Sequence, residues 1–84
     1  MIKIKYLGSL VTTLKKDKDE VDWHAELADV AALIEALCAD REEEWSNMLH
    51  HEDLLIAVNQ SMVKTDHPLT DGDQVTFFPP MVGG

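Results

Sequence analysis

The chain has 84 residues, 45% of them hydrophobic and 27% charged, which is enough for one small core and too balanced for a disordered, collagen-like or coiled-coil chain. Sixteen acidic residues against seven Lys and Arg give a net charge of -9, which repels a phosphate backbone and argues against nucleic acid as a partner. The longest aliphatic run, Leu54 to Val58, is far too short to cross a bilayer, Lys3 and Lys5 interrupt the start where a signal peptide needs an apolar stretch, and Cys38 is the one cysteine; a cytoplasmic setting, no membrane contact, no disulfide staple and no cysteine zinc site are therefore expected.

Residues 2–6 alternate Ile2, Lys3, Ile4, Lys5 and Tyr6, the period-two pattern of a strand with one buried face. Val21, Trp23, Ala25 and Leu27 alternate against Asp22, His24 and Glu26, which predicts a second strand, with the polar stretch Lys15 to Glu20 as the hairpin connection. From Asp29 the period changes. Val30, Leu33, Ile34, Leu37 and Cys38 form one apolar stripe of a helix, with Asp29 as N-cap or first-turn acid. The run from Asp40 to Glu44 is too charged to be buried, and Trp45, Met48 and Leu49 then resume apolar spacing in a further short helical or irregular piece.

Leu54 to Val58 reads as a central strand buried on both faces, Asn59-Gln60 as a tight turn, and Ser61 to Lys64 as a short strand carrying Met62 and Val63. Asp66 to Asp73 is a loop whose Asp71-Gly72 step permits a sharp reversal, and Gln74 to Phe78 is a last strand ending before Pro80. The order β-β-α-β-β-β predicts an α+β fold, one mixed sheet on one main helix. Alternation places Phe77 in the core and Phe78 on the other face.

The charge is uneven: Lys3, Lys5, Lys15, Lys16 and Lys18 precede Arg41 and Lys64, and the rest of the surface is acidic, serving solubility or a basic partner. Two of the four glycines, Gly83 and Gly84, and two of the three prolines, Pro79 and Pro80, crowd the last residues. Residues 79–84 predict an extended tail beyond a domain of residues 1–78; an extended course carries it about 18 Å at ~3.1 Å per residue. Two residues without Cβ are thin enough to enter a narrow channel, and an ionised terminal carboxylate needs activation as an acyl adenylate or similar anhydride before a nucleophile can attack it. On composition alone this segment is either a presented carboxylate or a frayed end.

Three motifs within Leu54 to Gly84 settle that choice: Ala57-Val58-Asn59-Gln60, Asp66-His67-Pro68-Leu69-Thr70-Asp71-Gly72-Asp73, and Phe77-Phe78-Pro79-Pro80 followed by Gly83-Gly84. In order and spacing they closely resemble the molybdopterin synthase small subunits, a family of ubiquitin-like sulfur carriers with a β-grasp fold. The resemblance implies a non-catalytic subunit of a heterotetrameric synthase that binds no cofactor itself. A ubiquitin-activating-like adenylyltransferase would use ATP to adenylate Gly84, and a sulfur donor enzyme would convert it to a thiocarboxylate. The tail, Pro79, Pro80, Met81, Val82 and Gly83, would then enter the synthase large subunit, where the sulfur builds the dithiolene of the molybdenum cofactor. Phe78, Met62 and Leu7 are the expected interface residues; for Met62 the pattern fits a core place equally well. Where the family carries Ala-x-x-Arg-Glu after its first strand, this chain reads Leu7-Gly8-Ser9-Leu10-Val11, without the arginine or the glutamate.

A carrier of a related, thiamine-type pathway and a ubiquitin-like binding module that never bears sulfur are the alternatives, and Pro79-Pro80 after the double phenylalanine favours the molybdopterin type. No metal site is expected: His50 and His51 are adjacent and diverge, His67 is a turn residue, and Cys38 sits on the helical stripe as a small buried hydrophobe.

Overall fold

The computed structural model describes residues 1–39 and 41–79. The chain runs β1 (Ile2–Tyr6), α1 (Ser9–Leu14), β2 (Lys18–Val21), α2 (Val30–Cys38), α3 (Glu43–Leu49), β3 (Leu55–Val58), β4 (Ser61–Val63) and β5 (Gln74–Phe78). The five strands form one mixed sheet in the order β2-β1-β5-β3-β4, so the last strand lies in the middle. β1 pairs with β5 in parallel, and the other neighbours are antiparallel.

One face of the sheet is packed. Ile2, Ile4 and Tyr6 of β1, Val75 and Phe77 of β5, and Ile56 and Val58 of β3 meet Leu10 and Leu14 of α1, the stripe Val30, Leu33, Ile34 and Leu37 of α2, and Trp45 and Leu49 of α3. Phe77 is 0% exposed, as its alternation requires. Tyr6 ties the layers together: its ring stacks on Phe77 with centroids 6.0 Å apart and meets the edge of Trp45 at 5.4 Å, geometries that aromatic quadrupoles favour. α2 begins where expected, with the Asp29 carboxylate accepting from the Ala32 N–H at 2.9 Å, the N-cap bond that satisfies an otherwise orphaned donor. The Asp66–Leu69 loop closes over that end, His67 accepting from the Val30 N–H through its carbonyl and Leu69 donating to Ala28.

Two expectations fail between β1 and α2. The second strand is Lys18–Val21, inside the stretch expected to be a connection, and residues 22–27 are irregular. The register explains it: Ile2 pairs with Val21, so β1 is exhausted there and residues beyond Val21 have no ladder partner. Trp23 and Leu27 still pack on or into the core, which is why they alternate without forming a strand. The polar Lys18–Val21 segment is an edge strand with one face open, where charged residues are suitable. The helix α1 was not foreseen. Its signal is Leu10 and Leu14 at i and i+4, diluted by the β-branched Val11, Thr12 and Thr13.

Elsewhere the local chemistry does what the residues demand. Asn59 and Gln60 both take positive φ, 50° and 73°, the two-residue hairpin geometry that matches strand twist, and Gly72 supplies φ 95° in the loop before β5. β3 lies inside the sheet, but its outer face is not wholly buried, since Leu55 is 38% exposed while Ala57 is buried.

Candidate partner-docking face and tail root

The sheet face opposite the helices carries the residues that alternate with the core. Lys3 and Lys5 project there from β1, Thr76 and Phe78 from β5, Leu55 and Ala57 from β3, and Met62 from β4, because cross-strand partners in a ladder share a face. Phe78 stands opposite Leu55, and Ala57 lies between Thr76 and Met62. Phe78 is half-buried, while Met62 is 58% exposed. The result is an apolar patch at the β5-β3-β4 side of an uncovered sheet.

The tail leaves beside this patch. β5 ends at Phe78, and Pro79 follows at the end of the central strand. Pairing continues one residue beyond β1, where the Leu7 N–H donates to the Phe77 carbonyl at 3.1 Å. Gly8 then turns the chain with φ 58° and ψ -137°, a region open to glycine and strained for other residues. A Cβ placed on Gly8 would stand 2.9 Å from Cγ of Pro79. Gly8 therefore lets the β1-α1 turn lie flush against the root of the tail.

Titratable groups across the fold are held in fixed local contacts. Burial pushes the Tyr6 phenol far above its usual range, and the Asp19 charge adds to this against an opposing effect of Arg41; the ring stays protonated. Arg41 bonds Asp19 at 2.8 Å and stacks its guanidinium 4.0 Å over Trp45, so the one cation of the acidic connection clamps α3 to β2. The Cys38 thiol is pushed up by burial and by Glu35, with Arg41 opposing, which disfavours the thiolate needed for persulfide chemistry. Burial alone would raise the Asp73 carboxyl, yet hydrogen bonds from the Thr70 N–H, the Asn59 amide and the Thr70 hydroxyl, with the charge of His67, outweigh it and hold Asp73 below its ordinary range. His50 bonds Glu35 and Ser46, and His51 accepts from the Asp53 N–H; the two rings serve separate local contacts. Among the described residues no group of three or more His, Cys, Asp or Glu could hold a metal ion.

The ThiS family model matches residues 4–84. The chain belongs to the ThiS family. It is 42% identical to the molybdopterin synthase sulfur carrier subunit of Escherichia coli over 84 residues, covering 100% of both chains. A Pyrococcus furiosus protein assigned as molybdopterin converting factor subunit 1 superposes with TM-score 0.75 at 32% identity, over 95% of this chain and 97% of that one. The complex of molybdopterin-converting factor subunits 1 and 2 from Helicobacter pylori contains the same fold, with TM-score 0.62, 23% identity and coverage of 99% of this chain and 97% of that one. The fold is thus the ubiquitin-like β-grasp, as expected.

Within this ThiS-family chain, the structure places Phe78 and Leu7 at the same end of the sheet, Leu7 half-buried, and Met62 on the open face two strands from Phe78. Pro79 is half-buried at the tail root. Pro80, Met81, Val82, Gly83 and Gly84, expected to form the inserted tail and its reacting terminus, lie outside the described residues. Sequence reasoning missed Leu55, because a continuous apolar run hides its alternation with Ile56, and missed Gly8, whose signal was the scarcity of glycine. The segment where an arginine and a glutamate were missing forms the start of α1, with Leu10 buried and Val11 packed on the core. Cys38 is half-buried at the edge of the core, more open than expected.

Proposed function

We propose that this chain is the sulfur-carrier subunit of a molybdopterin synthase. The observation that carries the reading is its 42% identity with the Escherichia coli carrier over the whole of both chains. The Helicobacter pylori pair, in which a protein of this fold is complexed with subunit 2, supports a synthase large subunit as partner. Among the described residues no helix is long and apolar enough to cross a membrane, and the cytoplasm is the proposed setting.

The chemistry is assigned to the Gly84 carboxylate. An adenylyltransferase of the ubiquitin-activating type transfers AMP from ATP to that carboxylate with release of pyrophosphate, and a sulfur donor enzyme displaces AMP to leave a thiocarboxylate. The large subunit takes the tail, and the sulfur enters the pterin precursor as part of the dithiolene. The folded body acts as a handle: Phe78, Leu55 and Met62 seat on the partner beside the root of the tail at Pro79. Anchoring the body raises the effective concentration of the sulfur at the acceptor without releasing sulfide.

Intact-mass spectrometry of the chain coexpressed with its activating enzyme and sulfur donor tests the reading. It requires the mass gain of one oxygen-to-sulfur exchange at Gly84, and reconstitution with the large subunit and a pterin precursor must then give dithiolene product. A chain that is never sulfurated would be a binding module instead. A sulfurated chain inactive with the pterin precursor would serve another pathway.

A further inference from the structure

One shallow groove is lined by four exposed lysines, Lys3, Lys5, Lys16 and Lys18, together with Ile4, Gln74 and the acids Asp17, Asp19 and Glu20. Lys3 and Lys5 alternate with the buried Ile2, Ile4 and Tyr6, so they project on the side away from the helices. Lys3 stands opposite Glu20, but Lys5 stands directly opposite Lys18. Like charges directly opposed in a ladder are destabilising. Among the described residues none of these lysines is in an ion pair: of the three acids in the groove, Asp19 is bonded to Arg41 and Tyr6, and Asp17 and Glu20 stand outside ion-pair distance of the lysines. Glu20 faces Lys3, yet the ladder leaves Lys5 and Lys18 directly opposed, a local conflict between two like charges.

The conflict is continuous with the apolar patch. Lys18, Lys5, Thr76, Ala57 and Met62 form one unbroken row across all five strands on the open face. We propose that the β1-β2 half of this face docks a cluster of carboxylates on the protein that receives the tail, flanking the apolar surface that covers Phe78 and Leu55. The inference rests on the reading of the chain as a carrier for a synthase large subunit. Its physical consequence is orientation. The chain as a whole is strongly negative, so an acidic partner surface repels every approach except the one that presents the lysines, and that approach also points the tail root at the partner.

The test exploits a sign difference. Lys5→Glu places a carboxylate opposite Lys18, so folding stability should be unchanged or higher. The same substitution should slow association with the large subunit about tenfold at low salt and weaken its salt dependence, leaving the dissociation rate nearly unaltered. Stopped-flow association of the full chain with the isolated large subunit, beside thermal melts, reads all of these. Wild-type association rate and salt slope in Lys5→Glu would overturn the proposal while leaving the carrier function intact. A wild-type chain that fails to bind the large subunit at all would overturn both. Lysine-dependent binding to phosphatidylserine vesicles, with charge-independent binding to the large subunit, would assign the face to a membrane surface and overturn the proposal equally.

Discussion

Phe77 and Phe78 are adjacent and chemically identical, and truncating them should have opposite consequences. Phe77 is 0% exposed between Tyr6 and Ile56 in the ladder, so Phe77→Ala leaves a cavity and should cost about 3–5 kcal/mol. That is a large part of the roughly 4–13 kcal/mol available to a domain of this length. Phe78 is half-buried on the open face beside Leu55. Full burial of such a side chain is worth ~1.5–3 kcal/mol, so removing a half-buried one should cost about 1 kcal/mol of stability. As a central aromatic anchor of the docking face it should cost about 2 kcal/mol or more in binding, close to a thirtyfold rise in Kd for the large subunit. Urea denaturation of each variant and calorimetric titration of Phe78→Ala against the large subunit separate the two effects. Unchanged affinity in Phe78→Ala, or a stability loss equal to that of Phe77→Ala, would refute the assignment of this face.

Arg41→Ala should destabilise by roughly 1.5–3 kcal/mol, because it removes the cation paired with Asp19, whose side chain is 14% exposed and keeps only the long hydrogen bond from Tyr6, and removes the stack on Trp45; thermal melts should fall by about 10 °C, with sulfuration of the surviving folded chain unchanged. Asp73 has a carboxyl held below its ordinary 3.8, so the stability it contributes is present above that value and lost as pH falls through the lower folded value; Asp73→Asn should be less stable at neutral pH and show a flatter decline in melts between pH 5 and pH 2. Gly8→Val should destabilise by about 1–3 kcal/mol, since it combines positive φ with a clash at Pro79, and it should lower sulfur transfer by displacing the tail root; a variant as stable and as active as wild type would remove Gly8 from the site. Deleting Gly84 should abolish sulfuration by mass spectrometry while leaving the circular dichroism spectrum unaltered.

Much of this architecture was legible because the pattern and the packing agree. The α2 stripe, its Asp29 cap, the Asn59-Gln60 hairpin and the last strand are local features whose residues dictate their geometry without distant help. β2 and residues 22–27 were misread because a strand needs a partner, and the end of β1 at Ile2, which limits the ladder, is a tertiary fact. α1 escaped because six residues with three β-branched side chains depend on packing rather than propensity. At the site, Phe78 was visible from alternation, the pattern around Met62 fitted core and surface equally, Leu55 was hidden in an aliphatic run, and the approach of Pro79 to Gly8 joins residues at opposite ends of the chain.

The central place of β5 bears on how the carrier withstands handling. A pull on the C-terminal end of β5 along the strand axis is the load that the proposed uptake of the tail by a partner would apply. Because β5 is flanked by β1 in parallel and by β3 in antiparallel pairing, tension loads two ladders in shear, and their hydrogen bonds must yield together. An edge strand would instead peel away one bond at a time. Tension applied at the C-terminal end of this strand is therefore resisted by the whole middle of the sheet and not by one peripheral ladder.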